Sequence, residues 1–474
     1  MSEVAPASAS ITDDKTEYSL YEKRKTIHIR AVSGWFANWR WIMVGVTQLV
    51  YLGLCWLPWN GRQAVLFDLV ERKFYIFGLV FWPQDVIYLT VLLIISAYAL
   101  FLFTAIGGRL FCGYACPQTV YTEIFVWLEA LFEGERSERI RLDAAPLSRR
   151  KLGLKAGKHA AWFAVSLVTS FTFVGYFTPI RSLVAEIQTG SAGPWETFWI
   201  FFYAVFLYLN AGWMREQVCK HMCPYARFQS AMFDRDTLIV TYDSARGEPR
   251  GARHRSADHR AAGQGDCVDC SICVQVCPTG IDIRKGLQYE CIGCSTCIDG
   301  CEQVMRKMGY PSGLIRYSTQ HALELGWGRK EIFAHIRRPR IMIYGAILVV
   351  IVLGAGLALS QRIPLKVDII RDRGNLGHVE EGGLVENNYK LQLMNTSETA
   401  QRYRITPSGL AGLQINHQPA VEIPVPALTT QSALVDVYAP AESGKPGAQR
   451  IFFDIAAVGD AAIVVHEKAS FLIP

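Results

Sequence analysis

Charge is scarce in this sequence, and cysteine disappears from it after Cys301. Only 19% of the 474 residues are Asp, Glu, Lys or Arg, against 51% hydrophobic. That balance excludes a disordered or fibrous chain and points to membrane segments. The length suggests about three units of roughly 150 residues each. A net charge of +6 is too small to demand nucleic acid, and the most basic linker has no interleaved aromatics, so no nucleic-acid partner is expected. Flavin, nicotinamide and C-x-x-C-H haem motifs are all missing, so a partner must supply electrons for any redox reaction. No signal peptide is recognisable, and residues 1–17 read as disordered.

What the chain does have is apolar runs. Five stretches are long enough to span about 30 Å of hydrocarbon at 1.5 Å per residue: 41–58, 86–106, 159–178, 195–213 and 341–360. Stretch 64–82 holds Asp68, Glu71, Arg72 and Lys73 and reads as interfacial or re-entrant. Six Lys/Arg precede residue 41 and nine lie between spans two and three, but only Arg181 lies between spans three and four. The positive-inside rule then puts residues 1–40 and 214–340 in the cytoplasm and 362–474 outside, across a bacterial inner membrane. Twelve of the thirteen cysteines fall on the reducing side, where thiolates survive as metal ligands. Cys55, alone in span one, reads as packing.

The strongest motif is doubled. Cys267, Cys270, Cys273 and Cys277 are spaced C-x2-C-x2-C-x3-C, as are Cys291, Cys294, Cys297 and Cys301. In the bacterial ferredoxin pattern the fourth Cys of each run serves the other cluster. One [4Fe–4S] cluster is therefore expected on Cys267, Cys270, Cys273 and Cys301, and a second on Cys291, Cys294, Cys297 and Cys277. The fourth Cys is expected to start a short helix leading away. Paired zinc sites need only four cysteines per metal and do not predict this run twice. Pro278 follows the first run, but Glu302 stands where the pattern has Pro in the second.

A second constellation repeats at the membrane edge. Cys112-Gly-Tyr-Ala-Cys116-Pro117 follows span two, and Cys219-Lys-His-Met-Cys223-Pro224 follows span four. Each has an Arg three or four residues before it (Arg109, Arg215) and an amphipathic stretch after it. Pro suits the first helical position, so Cys116 and Cys223 should cap helix N-termini, where the dipole favours a thiolate. Four thiolates from two such hairpins suit one soft metal: copper(I), zinc or an iron–sulfur centre. Two thiol pairs that merely pack are the alternative. His221 and Met222 read as surface residues, with copper ligation the other reading.

The linker 244–265, rich in Gly, Arg and His, reads as a flexible tether with His254 and His259 solvated. Beyond residue 362, eight alternating runs (LKVDII, YKLQLMN, RYRIT, LQINH, VEIPV, ALVDVY, IFFDIA, AIVVHE) between turn residues predict an antiparallel sandwich. Asn395-Thr-Ser is a sequon, disregarded in a bacterial context.

The expected fold is thus a multidomain membrane protein. A helical bundle of about five spans carries a dicluster ferredoxin domain at about 255–310 and an immunoglobulin-like sandwich at the C-terminus. That order, with YEKRKTIHIR, RKFYIFGLVFWPQD, RLFCGYACPQTV, DSARGEPRG, VMRKMGYPSGLIRY and ASFLIP, resembles the cytochrome c oxidase accessory family of the CcoG, FixG and RdxA type from about residue 18 to 474. The resemblance implies a role in building cbb3-type haem–copper oxidase by reducing copper(II) to copper(I). Oxidase subunits, or a copper chaperone or exporter, would then be partners. Cys112, Cys116, Cys219 and Cys223 are the candidate copper and redox thiols. A quinone-linked polyferredoxin subunit and a non-enzymatic scaffold or metallochaperone are the competing readings.

Overall fold

A computed structural model describes residues 27–474 apart from 256, 257, 259, 260, 380–382 and 461. The expectations for residues 1–17 and for His259 lie outside the described residues.

The first helix, α1 (Trp35–Gly53), starts six residues before the expected span and stops five before its end. Its N-cap, Gly34, offers no side chain. Asp299, 262 residues further on, accepts from the Ala37 N–H at 2.8 Å and the Phe36 N–H at 3.4 Å instead. After a hairpin of β1 (Pro58–Trp59) and β2 (Arg62–Gln63), the supposed re-entrant stretch is a three-stranded antiparallel meander. Its strands are β3 (Val65–Asp68), β4 (Lys73–Ile76) and β5 (Leu79–Phe81). The charges that suggested an interface sit at its first turn, where Asp68 pairs in register with Lys73.

Ten helices and a strand follow: α2 (Val86–Gly107), α3 (Leu110–Tyr114), α4 (Pro117–Glu133), α5 (Arg136–Ala144), α6 (Arg149–Val174), α7 (Ile180–Thr189), α8 (Pro194–Leu207), α9 (Pro224–Met232), β6 (Ile239–Tyr242), α10 (Ser244–Gly247) and α11 (Ile272–Gln275). Then come α12 (Thr296–Met308), β7 (Ile315–Ser318), α13 (Gln320–Leu325), α14 (Arg329–His335) and α15 (Pro339–Ser360). Among the described residues, three helical stretches are long and apolar enough to cross a membrane: Pro83–Gly107, Pro194–Met214 and Pro339–Ser360. Five were expected. α1 and α6 are continuous helices, but charge is built into both. Arg40 is buried in α1 against Glu123 at 2.7 Å. The first half of α6 sends Lys155 and Lys158 to Glu133 at 3.0 and 2.8 Å.

α2 and α15 run antiparallel. Tyr88 donates to the Ala358 carbonyl, and Arg338 to the Ala105 carbonyl at 2.7 Å. At one end buried Asp85 pairs with Arg362 at 2.7 Å and with Lys366. At the other, Arg338 and Arg340 pair with Asp234 at 2.7 and 3.3 Å. The ferredoxin region and the C-terminal domain therefore lie at opposite ends of these helices.

That domain is the expected sandwich. Its strands are β8 (Leu365–Val379), β9 (Leu384–Asn395), β10 (Gln401–Ser408), β11 (Gln414–Ile415), β12 (Val421–Val425), β13 (Thr430–Pro440), β14 (Gly447–Ala457) and β15 (Val464–Ile473). They form two sheets, β12-β10-β14-β15 and β11-β13-β9-β8. Inward positions supply the core, with Tyr389, Leu391, Tyr403, Phe453 and Phe471 fully buried. Each such side chain contributes about 1.5–3 kcal/mol. Asn395 is buried and donates to the Thr399, Val425 and Pro426 carbonyls, so the sequon amide is already occupied.

The linker is not a plain tether. Arg246 pairs with Asp266 at 2.6 Å, and Arg253 lies over the Tyr310 ring while donating to the Gly265 carbonyl at 2.6 Å. Its arginines fasten the linker to the loop before β7.

Candidate cluster and thiol sites

Both ferredoxin loops bend in the same way. Ser271 and Ser295, each just after the second Cys of its run, sit in left-handed backbone (φ 54° and 63°). Asp269 and Gly293, each just before that Cys, do too (φ 51° and 67°). Left-handed non-glycine residues cost energy and persist where the surroundings demand them. Here they turn the thiols of each loop toward a common space.

Cys267, Cys270, Cys273 and Cys301 line one cavity, with Tyr242 and Arg284 beside them. Cys277, Cys291, Cys294 and Cys297 line a second, which Cys273 also touches. Neither lining includes a carboxylate or imidazole. Among the described residues, no group of three or more His, Cys, Asp or Glu could hold a single metal ion. Thiols that ring a space rather than meet at a point fit an iron–sulfur cluster better than zinc. Burial pushes Cys273 up to about 11 and Cys291 and Cys301 to about 12, and raises Cys277 and Cys297. Binding iron there must therefore displace protons. Hydroxyls stand against two of the sulfurs, Thr279 at 3.3 Å from Cys277 and Thr296 at 3.4 Å from Cys294.

One expectation is corrected. Neither fourth Cys starts a helix: Cys277 lies two residues past the end of α11, and Cys301 lies inside α12, which Cys297 also joins. Glu302 in place of Pro lets that helix continue, and its carboxylate accepts the Gly313 N–H at 2.5 Å.

The two membrane-edge motifs share a backbone break. Gly108 (φ 57°, ψ −118°) and Arg215 (φ 43°, ψ −112°) each stand four residues before the first Cys of their copy. Cys116 and Cys223 are the N-caps of α4 and α9, with Pro at the first helical position. The thiolate expected at Cys116 is not favoured, however. Burial lifts Cys112 to about 12 and Cys219 to about 11, and raises Cys116 although the Gln118 and Thr119 N–H groups pull it down. The copies do come together. Cys219 feels Cys116 and Cys223, Cys116 feels Cys223, and Cys112 feels Cys116 and Cys219. They do not close round one ion: the Cys112 thiol turns to Gln229 Oε1 at 3.5 Å. His221 and Met222 are exposed on a π-helical turn, Val218–Met222.

Three family models match. A "4Fe-4S dicluster domain" covers residues 214–320, a "4Fe-4S binding domain" residues 89–155, and an "IG-like fold at C-terminal of FixG" residues 355–474. Protein RdxA of Cereibacter sphaeroides is 36% identical over 468 residues, covering 95% of this chain and 98% of its own. The chain belongs to the FixG/RdxA family. The nitrogen fixation protein FixG of Rhizobium meliloti is 38% identical over 424 residues, 82% of this chain and 80% of its own. The ferredoxin-type protein NapH of Escherichia coli is 24% identical over 277 residues, 52% of this chain and 88% of its own.

In this FixG/RdxA chain the first thiol motif rests directly on the second cluster loop, a contact that spacing did not reveal. Buried Arg109 donates to the Cys291 carbonyl at 3.3 Å, the Ala226 carbonyl at 2.7 Å and the Tyr289 carbonyl. A Cβ on Gly113 would stand 2.9 Å from the Cys294 backbone. The signal available in the sequence was that glycine between two cysteines, where the second copy has Lys220.

Proposed function

We propose that this chain reduces copper(II) to copper(I) for assembly of a cbb3-type haem–copper oxidase. The observation that carries this reading is the contact of Arg109 and Gly113 with the Cys291–Cys294 loop, which puts the membrane-edge thiols beside a cluster cavity. Clusters held by the two cysteine sets supply one-electron storage and transfer. The chain's own residues do the rest. Arg109 fixes the first thiol loop against the donor side. Cys112, Cys116, Cys219 and Cys223 take copper(II) as substrate and release their protons to water as they bind it. Soft sulfur favours the copper(I) formed when the ion gains one electron. The ferredoxin region lies in the cytoplasm, α1 and α6 complete a five-helix membrane domain, and the sandwich faces the periplasm. There it meets an oxidase subunit or copper chaperone, and the electron donor is a separate partner.

The test is cupric reduction by anaerobic, pre-reduced protein, read with a copper(I) chelator. Changing the four membrane-edge cysteines to Ser should abolish it while both cluster signals persist. Reduction at the normal rate in that variant would overturn the site. A second reading has its own support, since the "4Fe-4S binding domain" match at 89–155 contains only Cys112 and Cys116 as cysteines. In that reading the four thiols hold a third iron–sulfur centre. Iron analysis separates the two: about eight irons per chain against about twelve.

A further inference from the structure

Between α1, α2, α3 and β7 runs a groove of about 1210 Å³, counting the part open to the outside. Trp35, Trp39 and Met43 of α1 face Leu100 and Phe103 of α2 across it. Its polar side-chain groups are the Trp35 and Trp39 indoles, Ser96, Tyr114 and Tyr317, and no Lys, Arg, Asp, Glu or His touches it. Trp35, Trp39 and Phe103 are exposed, so the groove opens sideways beside a helix apolar enough to cross a membrane.

The two phenols lead to a cluster cavity. Tyr317 donates to the Gly293 carbonyl at 2.8 Å and accepts from Ser295. Tyr114 lies beside Ser295, Tyr317 and Cys294. Gly293, Cys294 and Ser295 belong to the loop that lines the second cavity, and Cys294 and Ser295 line it directly. One end of the groove is thus apolar and open to lipid, and the other is hydrogen-bonding and joined to the candidate redox centre.

The lining selects the ligand. A nicotinamide or flavin nucleotide carries phosphates, which require cationic or backbone donors. An uncharged, aromatic, lipid-soluble two-electron carrier fits instead. We propose that this groove binds an isoprenoid quinol as electron donor to the cluster on Cys277, Cys291, Cys294 and Cys297. The inference rests on the electron-transfer reading but not on copper as the acceptor. Oxidation breaks the two O–H bonds of the quinol and leaves the quinone. Its two electrons go one to each cluster, and its two protons go to water on the ferredoxin side. Tyr114 and Tyr317 hold the hydroxyl end by hydrogen bonds and stay neutral.

The experiment uses the full chain in nanodiscs without oxygen. An azido-quinone should photolabel peptides within 35–43 or 96–115, and unlabelled decylubiquinone should compete. Decylubiquinol should reduce the clusters, followed by visible absorbance and EPR. Ala99→Trp fills the groove and should lower both labelling and cluster reduction by about tenfold or more, while dithionite still reduces both clusters. Ala97→Trp, at an exposed position outside the lining, should behave as the parent. Should Ala99→Trp fail to fold, Tyr114→Phe with Tyr317→Phe removes only the hydroxyls and should slow reduction about tenfold. Scattered labelling, labelling displaced by phospholipid but not by decylubiquinone, or quinol reduction unchanged in these variants would each overturn the proposal. Dithionite-reduced Ala99→Trp protein should still reduce copper(II). Failure there counts against the copper reading alone.

Discussion

The two membrane-edge motifs descend from one pattern and are held in opposite ways. Both begin at the same left-handed break and end at a Cys-Pro helix start. The first copy is clamped. Gly113 presses on the Cys294 backbone and Arg109 spans three carbonyls, two of them in the second cluster loop. In the second copy Lys220 stands where Gly113 would be, and Arg215 turns away to Glu129 at 2.9 Å and to the Trp162 face. Cys219 lies within, and Cys223 directly after, a π-helical turn with exposed His221 and Met222. π-Turns concentrate at functional sites. The difference teaches that a repeated thiol motif can be anchored in two ways, one copy on a cysteine loop of the ferredoxin region and the other on the helices that carry Glu129 and Trp162.

Gly113→Val should break the comparison most severely. A side chain there meets backbone, which cannot step aside, so the second cavity should distort. Iron should fall to about half of the roughly eight expected, with one EPR signal lost. Lys220→Val, at the matching position, should leave iron content unchanged.

Next in size is the arginine pair. Arg109→Ala strips a charged donor from buried carbonyls and should cost on the order of 3 kcal/mol. It should also alter the EPR of the second cluster. Arg215→Ala should lower the melting temperature but leave that spectrum alone, because Glu129 keeps Arg139 at 3.2 Å and Lys158 at 3.7 Å.

Alkylation sharpens the contrast with ordinary thiols. Both Cys112 and Cys219 are raised by burial, so they stay protonated at neutral pH and shed the proton only as pH climbs toward about 12 and about 11. In metal-free protein their labelling by iodoacetamide should keep rising above pH 9, beyond the range of an unperturbed thiol near 8.5. A plateau by pH 9 would contradict the burial. The smallest effect is expected from His221→Ala and Met222→Ala. As surface residues they should change cupric reduction less than about twofold, whereas a ligand to copper would cost tenfold or more.

Much of this was legible beforehand, for identifiable reasons. The eight sandwich strands alternate with period two, and one face is buried. The ferredoxin loops announce themselves because ligand spacing is local. The meander at 65–81 was not legible, since Asp68 and Lys73 resemble interfacial charges until their pairing across a turn is seen. The expected spans 41–58 and 159–178 stop just short of Arg40 and Lys158, whereas α1 and α6 include them, paired with acids 83 and 25 to 29 residues away. The Arg109 contact joins residues 180 or more apart, and no spacing rule reaches that far.

Asp299 sets an order of events during synthesis. α1 is made early, yet two of its N-terminal amides wait for a carboxylate encoded 262 residues later. That carboxylate sits on α12, the helix that carries Cys297 and Cys301. The start of the first helix therefore cannot be finished until the cluster region has been translated and folded. A chain that stalls before Asp299 leaves two amides at the start of α1 without that acceptor.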